Sequence, residues 1–194
     1  MQPNKLANAG PLGLMGFGMT TILLNIHNAG FFPLTTTIIS MGIFYGGIAQ
    51  IIAGILEFKR GNTFGVTAFI SYGFFWISLV GIWLIPAIGH VEATNSTLVG
   101  IYLALWGIFT LFMFIGTLRA NRGIQVVFGT LTVLFFLLAV GNIAGNKDIL
   151  TFAGYVGIIC GASAIYLAMA EVLHEQYGRS ILPMGEPKTE DKAH

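Results

Sequence analysis

The chain has 194 residues, 55% hydrophobic and 9% charged, with a formal net charge of +1 and a mean hydropathy of +0.81. Soluble domains carry about 25% charged residues, so composition places this chain in a bilayer, and the near-zero net charge offers no basic surface for nucleic acid. The lone Cys160 excludes an intrachain disulfide and no Cys/His spacing suits a metal, so no metal or other cofactor is expected.

Six apolar segments follow one another, at residues 11–29, 38–58, 63–87, 96–118, 124–144 and 150–173. Each is near the roughly 20 residues that a helix needs to cross about 30 Å of hydrocarbon. The joints are short, so consecutive helices are expected to be antiparallel neighbours. The pattern predicts an all-α polytopic membrane protein with six transmembrane helices: a segment 1–10, a membrane domain 11–178, and a tail 179–194 that is polar and disordered. The first run, with Lys5 before it, faintly resembles a signal peptide, but its length and polar interruptions mark a retained span. Lys5, Lys59, Arg60, Arg119, Arg122, Arg179, Lys188 and Lys192 all fall at the N-terminus, the second and fourth joints or the tail, against Lys147 alone on the other side. Basic loops stay cytoplasmic, which puts both termini inside. Leu56 to Gly61, Leu118 to Gly123 and Leu173 to Gly178 share one Leu-x-x-x-x-Gly spacing, which suggests three pseudo-repeated helix pairs.

The first segment differs most from a plain anchor. It accepts Gly10, Gly13, Gly16 and Gly18, although Gly costs about 1 kcal/mol in a helix interior relative to Ala. On a helix, Gly13, Phe17, Thr20, Thr21 and Asn28 fall near one face, with Asn25 at its border. Such a face suits the wall of a pathway, and equally a close contact with another helix. In the second segment Gln50 is the deepest polar group and reads as interhelical glue, and Glu57 beside Lys59 and Arg60 as a solvated ion pair. The third is aromatic, with Tyr72 too deep for an interfacial belt, and Pro86 is expected to end or kink it. The fourth presents an apolar face of Ile101, Leu105, Phe109 and Phe112 to lipid or another subunit. The fifth repeats, from Leu131 to Asn142, the spacing of Phe17 to Asn28. The sixth carries Gly157 and Gly161-Ala162-Ser163-Ala164, which permit a close crossing, then Glu171, His174 and Glu175.

No Lys or Arg lies in the central part of any span. A neutral lining of Thr20, Thr21, Asn25, Asn28, Tyr72, Asn142 and Ser163 suits a small solute that is singly charged or protonatable. A competing class is an intramembrane serine hydrolase using Ser163. Its nearest histidine in the span, His174, lies about 16 Å along the axis, too far for direct activation, and His27 and His90 belong near the outer surface. A non-transporting assembly protein is the third reading, and the polar stripe argues against it.

Asn8, Pro11, Leu12, Gly13, Leu14, Gly16 and Phe17 carry a family resemblance. They match the signature Asn-Pro-(Ala/Val)-Pro-(Leu/Phe)-Gly-Leu-x-(small)-Phe, with Ala9 in place of the first Pro and Gly10 in place of Ala/Val. The chain thereby resembles the acetate uptake transporter family, which includes bacterial succinate–acetate permeases and fungal acetate and ammonia transport proteins. The resemblance covers the chain from Lys5 to about Glu186. It implies acetate and other short carboxylates as substrates, with succinate a candidate, proton movement with uptake, a bacterial inner-membrane location, and a homo-oligomer, a hexamer with a pathway in each protomer. It also implies a constriction of one Phe, one Tyr and one Leu from helices one, three and five. The Phe is Phe17 of the signature, and Tyr72 and Leu131 match the others by position. Counted from the expected helix starts, the three lie within roughly 5 Å of one another in depth. Thr20, Thr21, Asn25, Asn28 and Asn142 would then form an outer approach, with the Tyr72 hydroxyl helping the acid past the ring and the small Ala164 leaving room beside it. Channel and proton-coupled transporter are equally compatible with this lining.

Overall fold

The computed structural model describes residues 6–89 and 91–185. Lys5, His90, Glu186, Lys188 and Lys192, with the expected disorder of residues 186–194, lie outside the described residues. Six long helices follow the six apolar segments: α1 Gly10–Asn28, α2 Thr36–Lys59, α3 Thr63–Ile88, α4 Ser96–Thr117, α5 Arg122–Ala144 and α6 Lys147–Tyr177. Among the described residues no strand occurs. Helices α2 to α6 are each long and apolar enough to cross a membrane. Helix α1 has 19 residues, diluted in apolarity by its Gly, Thr and Asn.

The helix ends are set by polar chemistry. Asn62, Asn95, Asn121 and Asn146 stand just before α3, α4, α5 and α6, and each side chain accepts a hydrogen bond from a backbone N–H of the first turn. These first-turn donors have no partner within the helix itself, and the Asn side chains supply one. Gly61 and Gly178 close α2 and α6 with φ of 71° and 65°, the left-handed region. The third member of the spacing repeat, Gly123, instead lies inside the first turn of α5, so the three stretches do not share one local structure. Pro86 does not end α3; the helix runs on to Ile88 and halts at Gly89, whose N–H donates to the Pro86 carbonyl at 3.3 Å.

Each helix packs against its neighbours in sequence, and α1 packs against α6, which closes a ring of six. The α1–α6 crossing is the closest. A Cβ on Gly18 would lie 2.7 Å from the Gly161 carbonyl, and one on Gly161 would lie 2.6 Å from the Gly18 carbonyl. Gly154 and Gly157, further along α6, face the Ala29 backbone and the Asn25 carboxamide. Helices α3 and α4 approach less closely and are bridged by large rings, with Phe75 against Tyr102 and Trp106 at 5.9 and 5.2 Å, and Tyr72 against Phe109 at 5.5 Å. Phe109 thus turns inward and leaves the expected outer face of α4, where Ile101, Leu105, Ile108 and Phe112 remain exposed. Helix α2 is wound as a π-helix over Gly42–Ala49, a feature with no expectation behind it.

The tail expected to be free from Arg179 onward is held as far as residue 185. The backbone N–H groups of Arg122 and Gly123 donate to the carbonyls of Gly185 and Met184 at 2.7 and 2.9 Å. The Tyr166 hydroxyl donates to the Pro183 carbonyl. This stretch supplies acceptors to donors of the first turn of α5 that helical geometry leaves without partners.

Candidate functional site

Two cavities open from opposite ends of the helix ring. The first, about 360 Å³, draws its lining from all six helices. Asn8, Glu57, Arg60, Asn121 and Glu171 surround its mouth, and Leu14, Phe17, Gln50, Tyr72, Phe128 and Leu131 line its inner part. The second, about 390 Å³, is lined by Leu24, His27, Asn28, Phe75, Trp83, Asn142 and Lys147 among others. The two share no lining residue. Between them the chain passes from Phe17 to Leu24, from Tyr72 to Phe75 and from Leu131 to Leu138, so the septum is roughly 5–10 Å thick at 1.5 Å per residue.

Phe17, Tyr72 and Leu131 thus come together at the closed end of one cavity. All three are at least 94% buried, and the Phe17 and Tyr72 ring centres lie 6.2 Å apart. Phe128 approaches Tyr72 at 6.1 Å, and behind them Phe75 meets Phe135 edge to face at 5.1 Å. The Tyr72 hydroxyl bonds to Thr110 of α4. Thr110 donates its proton to the Trp106 carbonyl at 2.7 Å and therefore accepts from Tyr72 at 2.9 Å. The Tyr72 proton is thereby committed to Thr110 and is not available to a carboxylate; Tyr72 offers its ring and the acceptor side of its oxygen.

The expected polar wall divides. Asn28 and Asn142 line the second cavity, and each donates to its own helix, to Asn25 Oδ1 and to the Leu138 carbonyl. Thr20, Thr21, Asn25, Gly13, Ser163 and Ala164 line neither cavity. Thr20 is fully buried and reaches the Met41 carbonyl at 3.4 Å. Asn25 donates to the Thr21 carbonyl at 2.9 Å and presses on Gly157. Gly13 lies under the Phe69 ring. Ala164 is fully buried in the core that contains Phe17, Tyr72 and Leu131. Ser163 donates to the Cys160 carbonyl at 2.7 Å, so its hydroxyl is engaged within its own helix, and among the described residues no histidine bonds to it. For α1, close packing accounts for the Gly18 and Asn25 side and cavity lining for the Leu14 and Phe17 side.

The signature stretch builds the mouth of the first cavity. Asn8 Oδ1 accepts from the Gly10 N–H at 3.1 Å and from Arg60, while Asn8 Nδ2 donates to Glu171 Oε2 at 3.0 Å. The Ala9 N–H donates to Glu57 Oε1 at 3.2 Å, a bond that a proline at that position could not make. Pro11 occupies the first turn of α1, where a missing N–H costs nothing. Leu12 faces outward and Leu14 lines the cavity. Gly16 meets the Tyr45 carbonyl, 2.6 Å from where a Cβ would stand. Glu57 is the main correction here. It is fully buried rather than solvated, with Arg60 at 2.7 Å and Asn62 also donating to its carboxylate. Glu171 had no assigned role; its position on the mouth follows from the α1–α6 crossing, which sequence spacing does not encode. Gln50, read as interhelical glue, is 1% exposed, and its Oε1 has no hydrogen-bond partner.

The profile of the GPR1/FUN34/yaaH family matches residues 1–185. The chain belongs to this family. Within the GPR1/FUN34/yaaH family it is similar to the "Succinate-acetate/proton symporter SatP" of Escherichia coli K12, 66% identical over 186 residues, covering 96% of this chain and 99% of that protein. "Acetate permease A" of Emericella nidulans is 34% identical and covers 95% of this chain, which spans 67% of that longer relative. A solved structure described as the bacterial acetate channel SatP superposes with a TM-score of 0.92 at 67% identity, covering 93% of this chain and 100% of that one. Membership makes the apolar helices those of a multi-pass membrane protein, and the ring with its two cavities is this family member's version of the fold.

Proposed function

We propose that the chain carries acetate and related short carboxylates, succinate included, across the bacterial inner membrane along the axis of its helix ring. The observation that carries this reading is the pair of opposed cavities separated by a thin apolar septum at Phe17, Tyr72 and Leu131. A bare carboxylate in such a septum loses its hydration and gains no counter-charge, at a cost of several kcal/mol. The neutral acid avoids that cost, so the solute crosses protonated and each carboxyl group carries one proton with it. This passage gives one physical meaning to both descriptions in the family, "symporter" and "channel". A pore that equilibrates the neutral acid accumulates the anion on the alkaline side, about tenfold per pH unit for a monocarboxylate.

The first cavity opens beside Arg60 and Asn121, on the side of the basic joints, and is the cytoplasmic one; both termini share that side. The second opens outward, and there Lys147 attracts carboxylates to the mouth. Assembly as a hexamer, with one pathway per protomer, completes the reading. The mouth polar groups are positioning groups for substrate entry, and no chemical step is involved.

Initial rates of labelled acetate uptake into proteoliposomes, above protein-free vesicles, test this. Rates should follow an imposed pH gradient and be indifferent to a potassium-diffusion potential. Uptake driven by the potential instead would establish an anion channel, and no protein-dependent uptake would end the transport reading.

A further inference from the structure

We propose that Thr110 is a positioning residue for the constriction: it holds the Tyr72 ring in place through the Tyr72 hydroxyl and so sets which acids pass. The proposal rests on the transport reading above and adds to it a specificity-determining residue that lines neither cavity.

Thr110 lies on α4 and is fully buried. Its place as an acceptor is built by its own helix. Oγ1 donates to the Trp106 carbonyl, four residues back, at 2.7 Å. Such a bond within the helix uses the only proton of the hydroxyl and fixes the rotamer, which leaves the lone pairs for a donor from outside. The Tyr72 hydroxyl supplies that donor from α3 at 2.9 Å, and among the described residues it makes no other hydrogen bond.

The other neighbours of Tyr72 hold it less strictly. The rings of Phe17, Trp106, Phe109 and Phe128 stand around it at 6.2, 6.2, 5.5 and 6.1 Å between centres. Contacts of this kind tolerate a range of tilts and offsets. Backbone packing adds little across this seam, because α3 and α4 meet through side chains rather than by close approach. A hydrogen bond is directional. This one grips the ring at the end farthest from the backbone, where a small rotation about Cα–Cβ moves the ring most. Without it Tyr72 can shift relative to Phe17 and Leu131, which share the same inner end of the first cavity. Losing one typical net hydrogen bond changes the population of a displaced ring about fivefold.

Thr110→Val keeps the side-chain shape and removes the acceptor, and Thr110→Ser keeps the acceptor. Tyr72→Phe removes the same bond from the other end and strands no polar atom, since Thr110 still donates to Trp106. Ser78→Ala controls for a loosened seam, because the Ser78 hydroxyl meets Tyr102 of α4 at 2.7 Å across the same two helices. Lactate-to-acetate flux ratios are measured in proteoliposomes on variants that keep the wild-type elution volume in detergent. Expected are ratios raised roughly fivefold in Thr110→Val and in Tyr72→Phe, with no further rise in the double variant. Thr110→Ser and Ser78→Ala should keep the wild-type ratio. A wild-type ratio in Thr110→Val or in Tyr72→Phe overturns the proposal, as does a double variant that multiplies the two effects. An equal rise in Ser78→Ala overturns it too, by making the effect one of general loosening. Absence of acetate uptake by the wild type would instead strike the transport reading. The ring position is then read by nuclear magnetic resonance of ring-labelled tyrosine, the Tyr72 signal being the one lost in Tyr72→Phe. Its δ protons lie remote from the hydroxyl, and ring currents of the four surrounding rings set their shift. Thr110→Val should move that signal and Thr110→Ser should not; an unmoved signal in Thr110→Val overturns the proposal by itself.

Discussion

Leu131 and Phe17 reach the inner end of the first cavity with side chains that can be cut back without stranding a polar partner, unlike Tyr72, whose hydroxyl is tied to Thr110. That makes them the right positions at which to test the constriction. Leu131→Ala and Phe17→Ala should widen the ring and raise the lactate-to-acetate flux ratio roughly tenfold, the discrimination a close apolar fit gives against one extra group. Both truncations also remove buried apolar area, at a cost of about 2–5 kcal/mol, so the ratio is read only on protein that retains its detergent elution volume. A folded variant whose ratio stays at the wild-type value would remove the constriction from these residues. Residue by residue, legibility followed the reach of the interaction. Phe17 belongs to a local signature and could be placed from it. Glu57 was misread because its burial depends on Asn8 and Ala9 coming over it from α1, a contact 48 residues away in the chain. Tyr72 was given a hydroxyl role because nothing local to α3 announces Thr110 on α4.

Helices themselves were legible because hydrocarbon thickness fixes their length and polar residues gather at their ends. The expected spans differ from the observed helices by at most four residues at either end. The exceptions are informative: the π-helical turn in α2 carries no periodicity signal beyond the Gly46-Gly47 pair, and the fold-back of residues 179–185 is built mainly from backbone hydrogen bonds that composition does not report. The small residues of α1 and α6 were visible, but not which of their two possible uses each one has. The glycines can now be separated by what surrounds them. Gly161→Ala forces a Cβ against the Gly18 carbonyl at 2.6 Å, where only backbone can yield, whereas Gly81→Ala meets nothing nearer than the end of Ile85 at 3.5 Å. Gly161→Ala should lower stability by about 1–3 kcal/mol and Gly81→Ala should raise it by up to about 1 kcal/mol through helix propensity. Thermal unfolding in one detergent orders the two; equal melting temperatures would mean that α1 and α6 are not in that contact.

At the scale of the whole molecule, the fold supplies direct probes of orientation and assembly. The native Cys160 is fully buried, so an impermeant maleimide should report only introduced thiols. Asn62 caps α3 and holds Glu57, which makes the exposed Lys59 the better position on that side, with Ala93 on the other. With both termini cytoplasmic, Ala93→Cys should react in intact spheroplasts and Lys59→Cys only after lysis; the reverse pattern would invert the protein. Assembly turns on α4. Its exposed Ile101, Leu105, Ile108 and Phe112 form a continuous apolar face, but lipid chains cover such a face as well as protein does, so apolarity does not itself demand a partner. What distinguishes the cases is shape: a packed interface loses contacts when large side chains are truncated, and lipid refills the space. Native mass spectrometry from mild detergent should show a species of about six times the 20.9 kDa chain, passing to smaller species in a Leu105→Ala, Phe112→Ala double variant. A wild-type monomer would end the hexamer proposal, and a hexamer indifferent to the double variant would move the interface off α4.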